Sequence, residues 1–124
     1  MKSTVALVLG VCAFLATADD KRGNPEGMSC RDVVIVRYVD GPKADEFSTH
    51  VAGHLEFLRK GLQSGNILFA GPLQDGPGGY TVYGLTDKKE VDKLVRQDPL
   101  IANKVCTYEM NTWMMCKAAP ADGK

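Results

Sequence analysis

Between residues 32 and 116 the hydrophobic pattern switches repeatedly between the two-residue repeat of a strand and the three-to-four-residue repeat of a helix. The order of those switches leaves few folds open, because consecutive elements pack against each other through short connections. Residues 32–39, rich in valine and isoleucine, read as a first strand that Gly41-Pro42 interrupts. Asp45 then caps a helix running to Ser64, with Phe47, Val51, Leu55, Leu58 and Leu62 on its apolar face. Gly65-Asn66 stops that helix. Residues 67–70 and 80–85 read as the second and third strands, joined by a glycine- and proline-rich loop. Asp87 and Glu90 form a capping box for a second helix carrying Val91, Leu94 and Val95, which Asp98-Pro99 ends. Residues 105–116 read as a fourth strand. The order β-α-β-β-α-β predicts an α+β domain of the ferredoxin-like, split βαβ kind. Its four-stranded antiparallel sheet has strand order 4-1-3-2 and both helices on one face.

A sheet with one wet face alternates apolar and polar residues. Here Val33, Val34, Ile35 and Val36 are apolar without alternation, as are Ile67, Leu68 and Phe69. The face without helices is therefore expected to be covered, most simply by a second copy of the chain in a homodimer.

The N-terminus has the layout of a secretory signal: Lys2, an apolar run over residues 5–15, and Ala16-Thr17-Ala18 before Asp19-Asp20. The run is shorter than the roughly 20 residues of a membrane-spanning helix. The expected product is secreted or periplasmic, cleaved near Ala18. A flexible lead-in over residues 19–29, one domain over 30–117 and a tail over 118–124 complete it. Cleavage removes Cys12 and leaves Cys30, Cys106 and Cys116. Strands one and four are neighbours in the expected sheet, so Cys30 and Cys116 can meet in a disulfide, as an oxidising compartment permits. Cys106 then falls near Asp40 without a partner, and no C-x-x-C pair points to zinc or thiol redox chemistry. Fifteen basic and fifteen acidic residues balance, so nothing marks a nucleic-acid or anionic-membrane partner.

His50 and His54 are the only histidines and share a helix face at i and i+4. That spacing can hold a metal, but the H-E-x-x-H glutamate and a third ligand are missing, so no metal is expected. His54 borders the apolar stripe, whereas His50 lies nearer solvent. Asp98 continues the stripe of Val91, Leu94 and Val95 and so points inward, where a carboxylate needs a partner. It either bonds local backbone or pairs with His54, orienting the imidazole for proton transfer. The loop from Gly71 and Pro72 to Gly79 lacks the order of a phosphate-binding loop. It shapes a pocket rim with Asp75 as a polar contact, or is only a hairpin connection. Arg37 is either an anion contact or a surface charge. Tyr80, Tyr83, Trp113 and Met114-Met115 read as core or interface.

These residues together resemble a known family. His54-Leu55-Glu56-Phe57-Leu58, Ala70-Gly71-Pro72, Asp75 with Gly78-Gly79, and Asp98-Pro99 are similar, in order and spacing, to the motifs of the YCII-related (YciI-like) family. The resemblance spans residues 32–117. It implies a dimeric α+β barrel and a His54–Asp98 dyad in a pocket. It further implies lyase, isomerase or dehydrohalogenase chemistry on a small cyclic or aromatic molecule without an organic cofactor. Two other functions fit the same residues: a pocket that binds a small molecule without turnover, and a structural module. Leu100 stands where the family commonly has an aromatic, Asn103-Lys104 where many members have glycine, and the export signal is unusual. These departures bear on the substrate rather than on the fold.

Overall fold

A computed structural model describes residues 24–120. The expected signal segment, the first residues of the lead-in and the last four of the tail lie outside them. The chain divides into two compact units. One is Arg31–Met115. The other joins the segments up to Cys30 and from Cys116, whose described residues are held by a Cys30–Cys116 disulfide and an Ala119 N–H bond to the Gly27 carbonyl.

Four strands form one sheet among the described residues: β1 (Met28–Asp40), β2 (Ile67–Pro72), β3 (Gly79–Tyr83) and β4 (Cys106–Ala118), in the order β2-β3-β1-β4. This is the antiparallel α+β sheet expected from the order of elements. Val34 faces Tyr83 and Tyr38 faces Gly79 across β1 and β3, while Ile67 faces Tyr83 and Pro72 faces Gly79 across β2 and β3. The register shifts between Ile67 and Phe69, so Leu68 is the extra residue of a bulge. β1 begins at Met28, earlier than residue 32, and takes in the end of the expected lead-in. β4 runs correspondingly on to Ala118. Backbone pairing with a long neighbour outweighs the weak strand propensity of Met28-Ser29.

The helices depart from expectation in three places. Ala44–Glu46 form a 3-10 turn before α1 (Phe47–Ser64), and no side chain caps the helix, so Asp45 is not its cap. Bonds from Gly41 N–H to the Val105 carbonyl (2.8 Å) and from Lys43 N–H to the Lys104 carbonyl (2.9 Å) already fix how the chain enters. α1 ends at Gly65, whose φ of 87° is the left-handed helix stop.

The second departure is the orientation of α1. No α1 residue is fully buried, and Phe47, Leu55 and Leu62 are 48, 51 and 45% exposed. The helix approaches its neighbours through glycine instead. A Cβ on Gly53 would lie 2.9 Å from Pro99 Cγ, and one on Gly61 would lie 2.4 Å from Ile67 Cδ1. The side with the closest approach wins over the side with the largest residues, and the apolar stripe is left at the helix flank.

Third, α2 (Lys88–Val95) is capped by Asp87, which accepts from Lys89 N–H at 2.9 Å, but Asp98 does not end it. Asp98 begins α3 (Pro99–Ala102) as its N-cap, with proline at the first position. The core joins Val34, Val36 and Tyr38 of β1 to Ile67, Tyr83, Val91, Val95, Leu100 and Val105. On the other side of the sheet Val33 and Val82 are buried, while Phe69 is 62% exposed beside them.

The disulfide cross-links residues 86 apart in sequence. Replacing Cys30 and Cys116 by serine should lower unfolding free energy by about 2–4 kcal/mol, because the open chain regains loop entropy. Urea unfolding of this variant beside the oxidised parent checks it, and coincident midpoints would contradict it.

Candidate functional site

β1 alternates its side chains, so Val34, Val36 and Tyr38 point toward the helices and Arg37 points away. Tyr38 thereby meets Asp98 where α3 starts. The Tyr38 hydroxyl donates to Asp98 Oδ2 at 2.6 Å. His54 Nδ1 lies 2.7 Å from the same oxygen. Leu100 N–H donates to Asp98 Oδ1 at 3.0 Å, the N-cap bond of α3. Asp98 has no solvent exposure, and a carboxylate accepts only, so the bond to His54 is donated by Nδ1–H. The Nε2 lone pair is then the free end of the ring. The Tyr38 and His54 rings are 5.6 Å apart at 59°, which limits rotation of the imidazole.

Gly53 makes this meeting possible. Its missing side chain lets α1 press on Pro99, the residue after Asp98, and His54 follows Gly53 in the chain. Helical glycine costs about 1 kcal/mol relative to alanine, a cost the close contact offsets.

His54 forms part of the wall of a cavity of about 510 Å³. Phe47, Val51, Leu55 and Leu58 line it from α1, with Leu100 and Val105 below. Pro72, Leu73, Pro77 and Tyr80 line it from the β2–β3 hairpin. That hairpin is closed by Leu73 N–H bonding to the Gly78 carbonyl at 2.9 Å. Gly78 has φ 88°, and a Cβ there would come within 2.2 Å of the Tyr38 carbonyl oxygen. Only glycine fits between the hairpin and β1 at that point. Asp40 and Cys106 complete the polar lining together with Tyr38, His54 and Thr81.

Of the residues singled out in the sequence, His54, Gly71, Pro72 and Gly79 line the cavity, and Asp98 stands behind His54. Three do not line it. Arg37 is on the opposite face, paired with Glu109 at 3.3 Å, because it neighbours Tyr38 in an alternating strand. His50 is one turn too early and lies 3.6 Å from Glu46. Asp75 sits at the exposed hairpin tip, where Gly76 and Pro77 form the rim instead. Sequence reasoning missed Tyr38, whose position in phase with Val34 and Val36 was the available signal. Tyr83 is core: its hydroxyl is buried without a hydrogen-bond partner among the described residues. Tyr80, in contrast, is 40% exposed and lines the cavity.

Burial, reinforced by the Asp98 charge, pushes the Tyr38 and Tyr83 phenols well above their ordinary range. Burial, with Asp40 and Asp98, pushes the Cys106 thiol up as well.

A family model for the YCII-related domain matches residues 32–114. The uncharacterized protein YjpA of Bacillus subtilis (strain 168) is 31% identical over 68 residues, covering 55% of this chain and 80% of YjpA. Among solved structures, a 5-chloro-2-hydroxyhydroquinone dehydrochlorinase, TftG of Burkholderia phenoliruptrix AC1100, is similar in fold. It was solved in complex with 2,5-dihydroxybenzoquinone. The TM-score is 0.52 at 18% identity, over 64% of this chain and 92% of that one.

The raised phenols and thiol make alkaline stability a test of the site. These groups stay protonated in the fold at a pH where the unfolded chain has lost those protons. Stability is therefore fully present below the unfolded values of about 8.5 for Cys and 10 for Tyr, and falls as pH rises past them. Melting temperature should decline between about pH 8.5 and 11, less steeply in Tyr38→Phe than in the parent. Parallel declines would show that Tyr38 ionises as freely in the fold as outside it.

Proposed function

Because this chain belongs to the YCII-related family, we propose that it is an exported small-molecule enzyme in which His54 and Asp98 form a proton-transfer dyad. The observation that carries this reading is the Asp98 carboxylate, without solvent exposure, holding His54 by Nδ1 at the wall of an apolar cavity. His54 Nε2 takes a proton from a carbon or oxygen acid in the cavity, then returns it to the rearranged product in an isomerisation or releases it to solvent or the departing group in an elimination. Asp98 stabilises the imidazolium formed between the two steps. That chemistry serves a lyase, an isomerase or a dehydrohalogenase acting on a small cyclic or aromatic molecule, and needs no organic cofactor. The dehydrochlorinase of similar fold supports this class of reaction. The disulfide supports an oxidising compartment, secreted or periplasmic, in agreement with the signal-like N-terminus. No helix among the described residues is long and apolar enough to cross a membrane.

The protein works as a homodimer in this reading, pairing the helix-free faces of two sheets. Val33, Ile35, Phe69 and Val82 make that face apolar; Phe69 is its exposed member, and covering it with a second copy would remove an aromatic surface from water.

Two measurements test these statements. His54→Asn should keep the melting temperature near that of the parent and lower kcat by about 10²–10⁴ on any substrate that a screen of phenols and lactones returns. Retained kcat would remove His54 from the chemistry. Binding by the parent with no turnover of any screened molecule would favour a non-catalytic pocket. In sedimentation, the parent should run as a dimer and Phe69→Asp as a folded monomer. A monomeric parent at micromolar concentration would refute the dimer.

A further inference from the structure

The polar groups of the cavity are unevenly distributed in a way that bears on its ligand. Among the described residues no lysine or arginine lines it, and Asp40 is the one carboxylate that does. Arg37, the cation nearest in β1, is spent on Glu109 across the sheet. Lys43 and Lys104 close the adjoining turn through their backbones, and neither forms an ion pair with Asp40 among the described residues. If His54 is protonated, its charge is already matched by Asp98 at 2.7 Å. The cavity as a whole is therefore neutral to negative. An anionic ligand would lose its hydration among Phe47, Val51, Leu58 and Pro72 without gaining a free cation, which is strongly unfavourable.

The same inventory says what a ligand must offer. The free Nε2 of His54 and the carboxylate of Asp40, an exposed lining residue, are both acceptors, and the cavity is otherwise lined largely by apolar side chains. A matching molecule has an apolar body and at least two hydrogen-bond donors. Resting on the proposed site, we infer that the substrate is an uncharged ring bearing two or more hydroxyl groups, and that Asp40 sets this specificity by rejecting its carboxylated counterparts.

The test compares hydroquinone with 2,5-dihydroxybenzoate, the same diphenol carrying a carboxylate, by calorimetric titration of the full chain at neutral pH. The parent should bind hydroquinone at least ~10-fold more tightly, equivalent to about 1.4 kcal/mol. Asp40→Asn should narrow the ratio severalfold, by improving the affinity for 2,5-dihydroxybenzoate as the like charge is removed and by weakening hydroquinone as an ionised acceptor is replaced by a neutral one. Equal affinities in the parent, an unaltered ratio in Asp40→Asn, or no binding of either probe at millimolar concentration would each overturn the inference. Binding does not require turnover, so this failure is separable from that of the dyad. A preference for hydroquinone in a protein that turns nothing over leaves the specificity standing and removes the enzyme. Loss of the preference beside an active His54 does the reverse.

Discussion

A carboxylate with no contact with water must have its charge answered by donors, and Asp98 receives three: the Tyr38 hydroxyl, His54 Nδ1–H and the Leu100 amide. Leaving one such group unmet in an apolar interior costs several kcal/mol. The requirement therefore ties together β1, α1 and the start of α3, which are far apart in the chain. Much else follows from satisfying it. Gly53 must be small so that α1 can reach Pro99. Gly78 must lack a Cβ so that the hairpin can lie against the Tyr38 backbone. The cavity is the space left between the helix and the hairpin once those approaches are made.

The sheet was the most legible part of the chain. Strand order and helix limits at Ser64 and Asp87 follow from local signals: period-two valines, a glycine in the left-handed conformation, an Asp cap. What could not be read depended on partners distant in sequence. Asp98 pointed inward as expected from its step after Val91 and Val95, yet its place as the cap of a separate short helix rests on the Leu100 amide and Pro99. The face of α1 was misjudged because periodicity weighs residue size, while close packing rewards the absence of side chain at Gly53 and Gly61. Arg37 and Tyr38 are adjacent and opposite in fate: one faces solvent beside Glu109, the other touches Asp98. The strand alternation that separates them was available, but its phase mattered only once the site was known.

The fold-level likeness to a dehydrochlorinase agrees with the wider point that a ferredoxin-like sheet does not dictate chemistry. What individualises this chain is the lining of its cavity. Proline, leucine and phenylalanine stand beside a few polar side chains, and among the described residues none of these is a lysine or an arginine. On the proposed reading, such a wall would select ligands by their charge before any bond is made or broken.

The half-exposed flank of α1 adds something to this picture. The histidine rides on a helix that contributes no fully buried residue to the protein, with Phe47 and Leu55 open toward the cavity. An apolar guest entering there supplies the neighbours these side chains lack, and becomes in effect the last piece of the hydrophobic core. Occupancy and folding are then two expressions of one equilibrium.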